Sequence, residues 1–244
     1  MYALIPIDLC YYAISKKFDR PFQLYIYLKY KCSGKIKLSN ADFKNIAKDL
    51  GLKSEKTITN NLKILIQNNW VGYNKKSGYY FIRNYKRIKN SIQAKSNTCA
   101  EFNTNEIKNF KGFVAGACIG YLVNQQKRKI WLTESKNRDS KPISQNPIPD
   151  YYPVANHALA QIWKVAISTA FVLKKLAHKK GYISVKKEFQ LINVSINFKK
   201  QYQKSNPEIA HKVRVKNNKL FLQEADKIMS KIRFKSSRKK PKHI

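Results

Sequence analysis

Apolar residues recur at helical spacing in two neighbouring stretches of the chain, and polar residues fill the opposite faces. The first stretch starts at Ser39, where Ser39 and Asp42 supply oxygens for the free N–H groups of a first helical turn, and it stops at Gly51. The second starts at Ser54, a residue type that caps helices. The pattern predicts two short helices with apolar faces Phe43, Ile46, Ala47 and Leu50, then Ile58, Leu62, Leu65 and Ile66.

A β-hairpin is predicted directly after these helices. Residues 70–73 and 79–82 are apolar or aromatic, and they flank the polar turn 74–78, which contains two lysines and ends in glycine. Upstream, Pro21 stands at a natural first position of an apolar helical segment, and residues 34–38 predict a short strand. Residues 1–19 predict an N-terminal extension, an extended piece followed by a short helix.

In this order of elements, residues 20–85 resemble a winged helix-turn-helix domain. In that family the second helix enters the DNA major groove, and the hairpin touches the flanking backbone or minor groove. Asn and Lys side chains can read base edges, while Ser, Thr and Lys can hold phosphate oxygens. Alternatively, the polar face is only solvated and the fold mediates protein contacts. The resemblance implies DNA-binding roles for Ser54, Lys56, Thr57, Thr59, Asn60, Lys63, Lys75 and Lys76.

The next predicted helix begins at Thr104 or Asn105 and carries glycine at every fourth position. Gly112, Gly116 and Gly120 weaken a helix, so we expect another helix to approach closely along this stripe. A phosphate-binding loop is a poor alternative because no G-x-x-x-x-G-K-[ST] pattern is present. The four prolines in residues 133–153 predict a long loop.

Residues 154–185 can be aligned with the first motif, with Thr169 on Thr57 and Gly181 on Asn69. They therefore resemble a second winged helix, with two departures: residues 163–165 lack the usual turn glycine, and Ala166 replaces a capping Ser or Thr. The alternative is one long buried helix from residue 155 to residue 180. If the match holds, the outward face serves protein contact or contact with thymine methyl groups, and it consists of Ile167, Ser168, Phe171, Val172 and Lys175.

The remaining segments complete the predicted domain organisation. Residues 86–103 form a basic linker that lies along DNA phosphates, with Arg87 as a predicted DNA contact, and residues 104–232 form the second domain. Within it we predict an enlarged wing, with 213–215 paired against 220–222, an irregular insert at 198–211 and a closing helix at 224–232. Residues 233–244 form a disordered basic tail that binds phosphates through Arg238, Lys239 and Lys240.

The net charge of the chain indicates what kind of partner it binds. The chain has 244 residues with 49 basic and 14 acidic side chains, a formal net charge of +35. A chain that repels itself this strongly usually has a polyanionic partner: nucleic acid, an anionic membrane surface or a ribosome-like assembly. The longest apolar run, residues 112–123, is too short to cross a bilayer, and residues 1–18 lack a secretory signal pattern. We therefore expect an intracellular, cytoplasmic and nucleoid-associated protein without a membrane partner.

Enzymatic chemistry is not indicated. The mid-chain acids Asp139, Asp150 and Glu188 show no spacing typical of a two-metal nuclease, and the four histidines show no metal-binding pattern. The sequence does not resemble the Arg/His motif of tyrosine recombinases or the metal-binding motif of rolling-circle initiators. The four cysteines lie far apart, as expected of reduced thiols. We expect no cofactor, no metal site and no catalytic residue.

Together these observations predict a mainly α chain with small β-hairpin wings, an α+β fold of two tandem winged-helix domains plus a basic tail. The predicted function is double-stranded DNA binding. Tandem winged helices loosely resemble replication initiators of plasmids and phages, and also transcription regulators of mobile elements; no motif separates the two. The alternative is a structural or assembly protein that binds nucleic acid non-specifically. A homodimer, or a protein partner on the second domain, is also expected.

Overall fold

The computed structural model describes residues 1–32, 34–136 and 150–236. Among these residues there are nine α-helices and twelve strands in four separate three-stranded sheets. The helices are α1 Ile7–Ser15, α2 Asp19–Lys31, α3 Asn40–Leu50, α4 Glu55–Gln67, α5 Tyr85–Ser91, α6 Phe110–Lys136, α7 Asn156–Trp163, α8 Ile167–Lys179 and α9 Lys199–Ser205. The strands are β1 Tyr2–Pro6, β2 Lys35–Lys37, β3 Val71–Asn74, β4 Tyr79–Ile82, β5 Thr98–Asn103, β6 Tyr152–Pro153, β7 Ile183–Lys186, β8 Phe189–Ile192, β9 Val213–Lys216, β10 Lys219–Gln223, β11 Lys227–Ser230 and β12 Phe234–Ser236.

The fold class predicted from the sequence, two tandem winged-helix domains with β-structure confined to small wings, is wrong. The chain is α+β, but strands make up 22% of the described residues and are distributed over four sheets. One of these sheets has the order β1–β5–β12 and joins the start, the middle and the end of the described chain. Ala100 of β5 pairs with Ile5 on one side and with Phe234 on the other. Pairing between such distant segments leaves no local signal in the sequence.

Four local predictions also need correction. The tail predicted as disordered at 233–244 begins with β12, which pairs with β5. Residues 86–103, predicted as a linker, contain most of α5 and all of β5, whose Ala100 and Phe102 are buried. Residues 224–232 form no helix; they contain β11, which pairs with β6 and β7. The insert at 198–211 contains α9. Strand partners, which local periodicity does not report, decide the conformation of β5, β11 and β12. α9 has no buried residue, so no such partner accounts for it.

Several local predictions are confirmed. The N-terminal strand and helix, α2, the helices α3 and α4, and the hairpin β3–β4 form as expected. β9 pairs with β10 in the predicted register, Val213 opposite Leu222 and Val215 opposite Leu220. Residues 155–180 form two helices rather than one, because Lys164 takes a left-handed conformation (φ 55°, ψ 46°) between α7 and α8. The predicted loop at 133–153 falls largely on residues 137–149, outside the described residues.

One continuous hydrophobic core connects the two halves of the described chain. Trp70, which follows α4, packs against an aromatic group that includes Phe18 and Phe22, with ring centroids 4.8 and 5.6 Å away. Phe22 in turn contacts Phe110 at the start of α6, 5.1 Å away. The buried Gln23 amide donates hydrogen bonds to two main-chain oxygens, those of Leu50 (3.3 Å) and Ile107 (2.8 Å). α2 is thereby fixed between the α3–α4 pair and α6.

The glycine stripe on α6 is a site of close approach, as predicted, although its partner is only partly a helix. A Cβ atom at Gly112 would lie 3.1 Å from Lys180 Cγ, just beyond α8. At Gly116 it would lie 2.6 Å from Tyr182 Cβ, and at Gly120 it would lie 3.0 Å from Ser230 Cβ on β11. The stripe lets α6 pack against α8 and then against the sheet that follows it.

Candidate nucleic-acid interface

Helix α4 packs its apolar face against the core, and its polar face is exposed to solvent. Ile58, Leu62 and Leu65 are buried in the core, where α4 packs on α2 and α3. At the N-terminus, Ser54 Oγ accepts a hydrogen bond from the Lys56 main-chain N–H (3.2 Å), so the predicted cap is present. The burial pattern therefore fixes which side of α4 faces outward.

Most predicted DNA-binding residues of α4 lie on this outward side. Lys56, Thr59, Asn60 and Lys63 are exposed, whereas Thr57 is half-buried. The Thr59 hydroxyl donates to the Glu55 carbonyl oxygen at 3.4 Å. Within the described part of the chain, neither Lys56 nor Lys63 forms an ion pair. The polar side chains are therefore available to an external partner.

Helix α3, which supports α4, begins with a complete capping box. The Ser39 main-chain N–H and hydroxyl both donate to Asp42 Oδ2, at 2.8 and 2.7 Å, and the Asp42 N–H donates back to Ser39 Oγ at 3.4 Å. These hydrogen bonds from Ser39 favour the carboxylate and lower the pKa of Asp42 below its ordinary value. Gly51 then ends the helix in the left-handed conformation that glycine accepts readily (φ 67°).

The hairpin that follows α4 presents two lysines at its tip. In the turn between β3 and β4, Asn74 Oδ1 accepts main-chain hydrogen bonds from Lys76 (2.9 Å) and Ser77 (3.3 Å), and Gly78 takes a positive φ of 71°. Lys75 and Lys76 are exposed on this turn. The turn geometry places both charges at the end of the hairpin, as the sequence predicted.

Arg87 is exposed on α5, whose N-terminus is capped by Asn84. The Asn84 Oδ1 atom accepts the Arg87 main-chain N–H at 2.8 Å. Tyr85 anchors the helix: its ring contacts Tyr25, with centroids 6.0 Å apart, and Lys29 Nζ lies 4.9 Å from the ring centroid of Tyr85. Arg87 is therefore held by an ordered helix, not by the linker expected from the sequence.

A long acid-free stretch connects these elements, and it was not among the features predicted from the sequence. Residues 56–100 contain nine Lys and Arg side chains and no Asp or Glu. The stretch includes nearly all of α4, the whole β3–β4 hairpin and α5. A search for uninterrupted segments of one charge sign would have found it. The charge concentrated on these neighbouring elements attracts polyanions.

Ser168 and Lys175 lie on a different helix, α8, which packs on α6 and α7. Both are exposed, as are the apolar residues predicted beside them: Ile167, Phe171 and Val172 expose 52%, 48% and 59% of their surface. The predicted outward face of α8 is therefore confirmed, and it is apolar. Arg238, Lys239 and Lys240 fall outside the described residues.

Comparison with known protein families, curated proteins and solved structures finds no match to this chain. Among the described residues, no group of His, Cys, Asp or Glu side chains is arranged to hold a metal ion. In the same residues, no helix combines the length and the apolar character needed to cross a bilayer. The interface must be interpreted from its own geometry and charge.

Proposed function

We propose that this protein binds double-stranded DNA, reads its sequence with α4, and contacts the flanking phosphates through the β3–β4 turn. The observation that carries the proposal is the exposed polar face of α4 within the acid-free stretch 56–100. An α-helix fits the major groove, where base edges present distinct donor and acceptor patterns. The resemblance of residues 20–85 to the winged helix-turn-helix family supports the same role.

The residue types divide into two roles. Asn60 can bond an adenine edge bidentately, and Lys56 or Lys63 can bond the O6 and N7 acceptors of guanine. Ser54, Thr57, Thr59, Lys75, Lys76 and Arg87 would hold phosphate oxygens. We propose phosphate contacts for Ser168 and Lys175 of α8 and for Arg238, Lys239 and Lys240 as well.

The biological role that we propose is that of a replication initiator or transcription regulator of a phage or mobile element, acting inside the cell and without catalysis. The exposed apolar residues of α8, Ile167, Phe171 and Val172, would contact a second copy or another protein, beside the phosphate contacts of Ser168 and Lys175. Site-specific binding distinguishes this role from that of an assembly protein that coats nucleic acid without a preferred sequence.

Selection of bound fragments from random duplexes is the primary test. We expect a recovered sequence motif, and we expect Asn60→Ala to weaken binding to that motif by about 5- to 150-fold, because one good bidentate base contact contributes about 1–3 kcal/mol. Binding to an unrelated duplex should stay unchanged. Asn45→Ala is the matched control, because it removes an exposed amide from the neighbouring helix α3. Recovery of no motif, or equal effects of the two variants, would contradict sequence reading by α4.

A further inference from the structure

The β2–β4–β3 sheet packs one side on the core and turns the other side outward. The inner side includes Val71 and Ile82, which are buried, and nearer the turn it carries Tyr73, which exposes 44% of its surface and packs on Tyr80. On the opposite side, Phe81 lies between Lys35 and Gly72, and Tyr79 lies between Lys37 and Asn74. Side chains directly opposite each other on paired strands share a face. We call this second side the outer face; it consists of Lys35, Lys37, Gly72, Asn74, Tyr79, Phe81 and Arg83.

Two aromatic rings stand two residues apart on the central strand of this outer face. Tyr79 and Phe81 each expose 37% of their surface. Neighbouring exposed rings commonly mark a binding site, because a ligand that covers them removes their apolar surface from water, which is favourable in free energy. The rings are held on a paired three-stranded sheet, so little ordering is needed when a ligand binds.

Cations surround these two rings. Lys35 Nζ lies 5.6 Å from the ring centroid of Tyr79, and Lys37 reaches toward Gly78. Gly72 has no side chain, and the Arg83 guanidinium covers it: a Cβ atom at Gly72 would lie 2.9 Å from Arg83 Nη2. All seven residues of the outer face are basic, aromatic or uncharged. The face therefore combines flat apolar surface with positive charge and no acid.

We infer that the outer face binds single-stranded nucleic acid, with successive bases stacked on Tyr79 and Phe81 and phosphates held by Lys35, Lys37 and Arg83. Base stacking on aromatic side chains beside a positively charged groove is the general chemistry of single-strand binding. A duplex cannot use this surface in the same way, because its base faces are already stacked inside the helix. DNA and RNA share this chemistry.

A second copy of the chain is a less suitable occupant. Two outer faces brought together would oppose three cations with three cations, on chains that each carry a formal charge of +35. A single strand instead supplies both the phosphates and the flat rings that the face lacks. Charge complementarity thus selects the polyanion.

This inference goes beyond duplex recognition by α4 and is tested separately. The probes are labelled oligothymidylate and oligouridylate of about 12 nucleotides, within the usual range of single-strand site sizes. Fluorescence anisotropy is measured at about 0.3 M salt, which suppresses non-specific phosphate binding. The test variant is Tyr79→Thr with Phe81→Thr, which keeps the charge and suits a strand. The control, Tyr79→Phe with Phe81→Tyr, keeps both rings.

We expect the threonine variant to bind the oligonucleotides at least about 30-fold more weakly, since each stacked base contributes about 1–3 kcal/mol, and the ring-retaining control to bind normally. Duplex binding should change less than about 3-fold in both variants, and Asn60→Ala should leave single-strand binding intact. Loss with only one of the two probes identifies DNA or RNA as the ligand. The inference would be overturned if the threonine variant bound single strands normally, or if the ring-retaining control lost binding equally. It would also be overturned if the free threonine variant had a lower molar mass than the free wild type, because the outer face would then join two copies of the chain.

Discussion

Lys174 Nζ of α8 lies 2.5 Å from Asp226 Oδ2, in an ion pair whose side chains expose only 5% and 12% of their surface. The Asp226 carbonyl oxygen also accepts the Val154 main-chain N–H at 3.0 Å. The ion pair therefore holds α8 against the segment just before β11. The Val154 hydrogen bond joins the same segment to the residue that follows β6. It is the most buried of the ion pairs found in the described ranges.

We expect Asp226→Asn to lower the free energy of unfolding by about 3–5 kcal/mol, because it leaves the Lys174 ammonium buried without a counter-charge. Replacing both partners, Lys174→Met with Asp226→Leu, should recover most of that loss. The control Asp150→Asn removes the exposed partner of Lys127 and should cost less than about 1 kcal/mol. Urea unfolding followed by circular dichroism measures all three, and equal losses at Asp226 and Asp150 would contradict the structural role.

The glycine stripe on α6 yields a prediction of opposite effects at two positions. Gly116→Ala should destabilise the protein by about 1–3 kcal/mol, because the new methyl group meets Tyr182 Cβ, which cannot move without the main chain. Gly112→Ala should be neutral or should stabilise by up to about 1 kcal/mol. Lys180 Cγ, 3.1 Å away, can rotate aside, Lys180 Cβ at 3.3 Å needs to move by only a few tenths of an ångström, and alanine favours helices. Thermal and urea unfolding of the two variants provide the comparison.

The salt dependence of duplex binding tests the hairpin tip. Lys75→Ala with Lys76→Ala should weaken binding to every duplex and should reduce the slope of log K against log salt by about 2, one unit for each phosphate that is no longer neutralised. The control Lys199→Ala with Lys200→Ala removes the same charge from α9 and should leave the slope nearly unchanged. Equal slopes in the two variants would show that only total charge matters.

The capping box of α3 predicts a pH-dependent contribution to stability. The pKa of Asp42 is lowered in the folded state, because the carboxylate accepts the main-chain N–H and the hydroxyl of Ser39. Its contribution is thus fully present above the unfolded pKa, 3.8, and is lost as pH falls through the lower folded value. At pH 7 the free energy of unfolding should be larger for wild type than for Asp42→Asn. The two values should converge once pH falls below the folded pKa of Asp42.

Carboxyl carbon chemical shifts, followed by NMR during an acid titration, check the cause. Ser39→Ala removes the hydroxyl donor and should raise the pKa of Asp42 toward the ordinary range. The Ser39 main-chain N–H, the larger cause of the shift, stays in place in this variant, so the rise should be partial. An unchanged Asp42 titration would assign the whole shift to that N–H.

The short-range features of this protein could be predicted from its amino-acid sequence. The helix from residue 40 to residue 50, its Ser39 cap and Gly51 stop, the next helix, and the hairpin around 74–78 all follow from periodicity, capping and turn chemistry within a few residues. The break between α7 and α8 could also be predicted, because residues 154–185 align with the helix-turn-helix motif of the first half of the chain. Lys164 occupies the turn position where glycine is usual. The outward polar face of α4 follows from the same periodicity.

The β-sheets that depend on distant partners could not be predicted in this way. β5 is a strand because β1 and β12 provide hydrogen-bonding edges on both sides, and β11 is a strand because it lies between β6 and β7. The outer face of the β2–β4–β3 sheet likewise exists only when β2 pairs with β4 and brings Lys35 and Lys37 beside Tyr79 and Phe81. Strand pairing is a non-local interaction, so its register and the surfaces it creates are settled only when the chain folds.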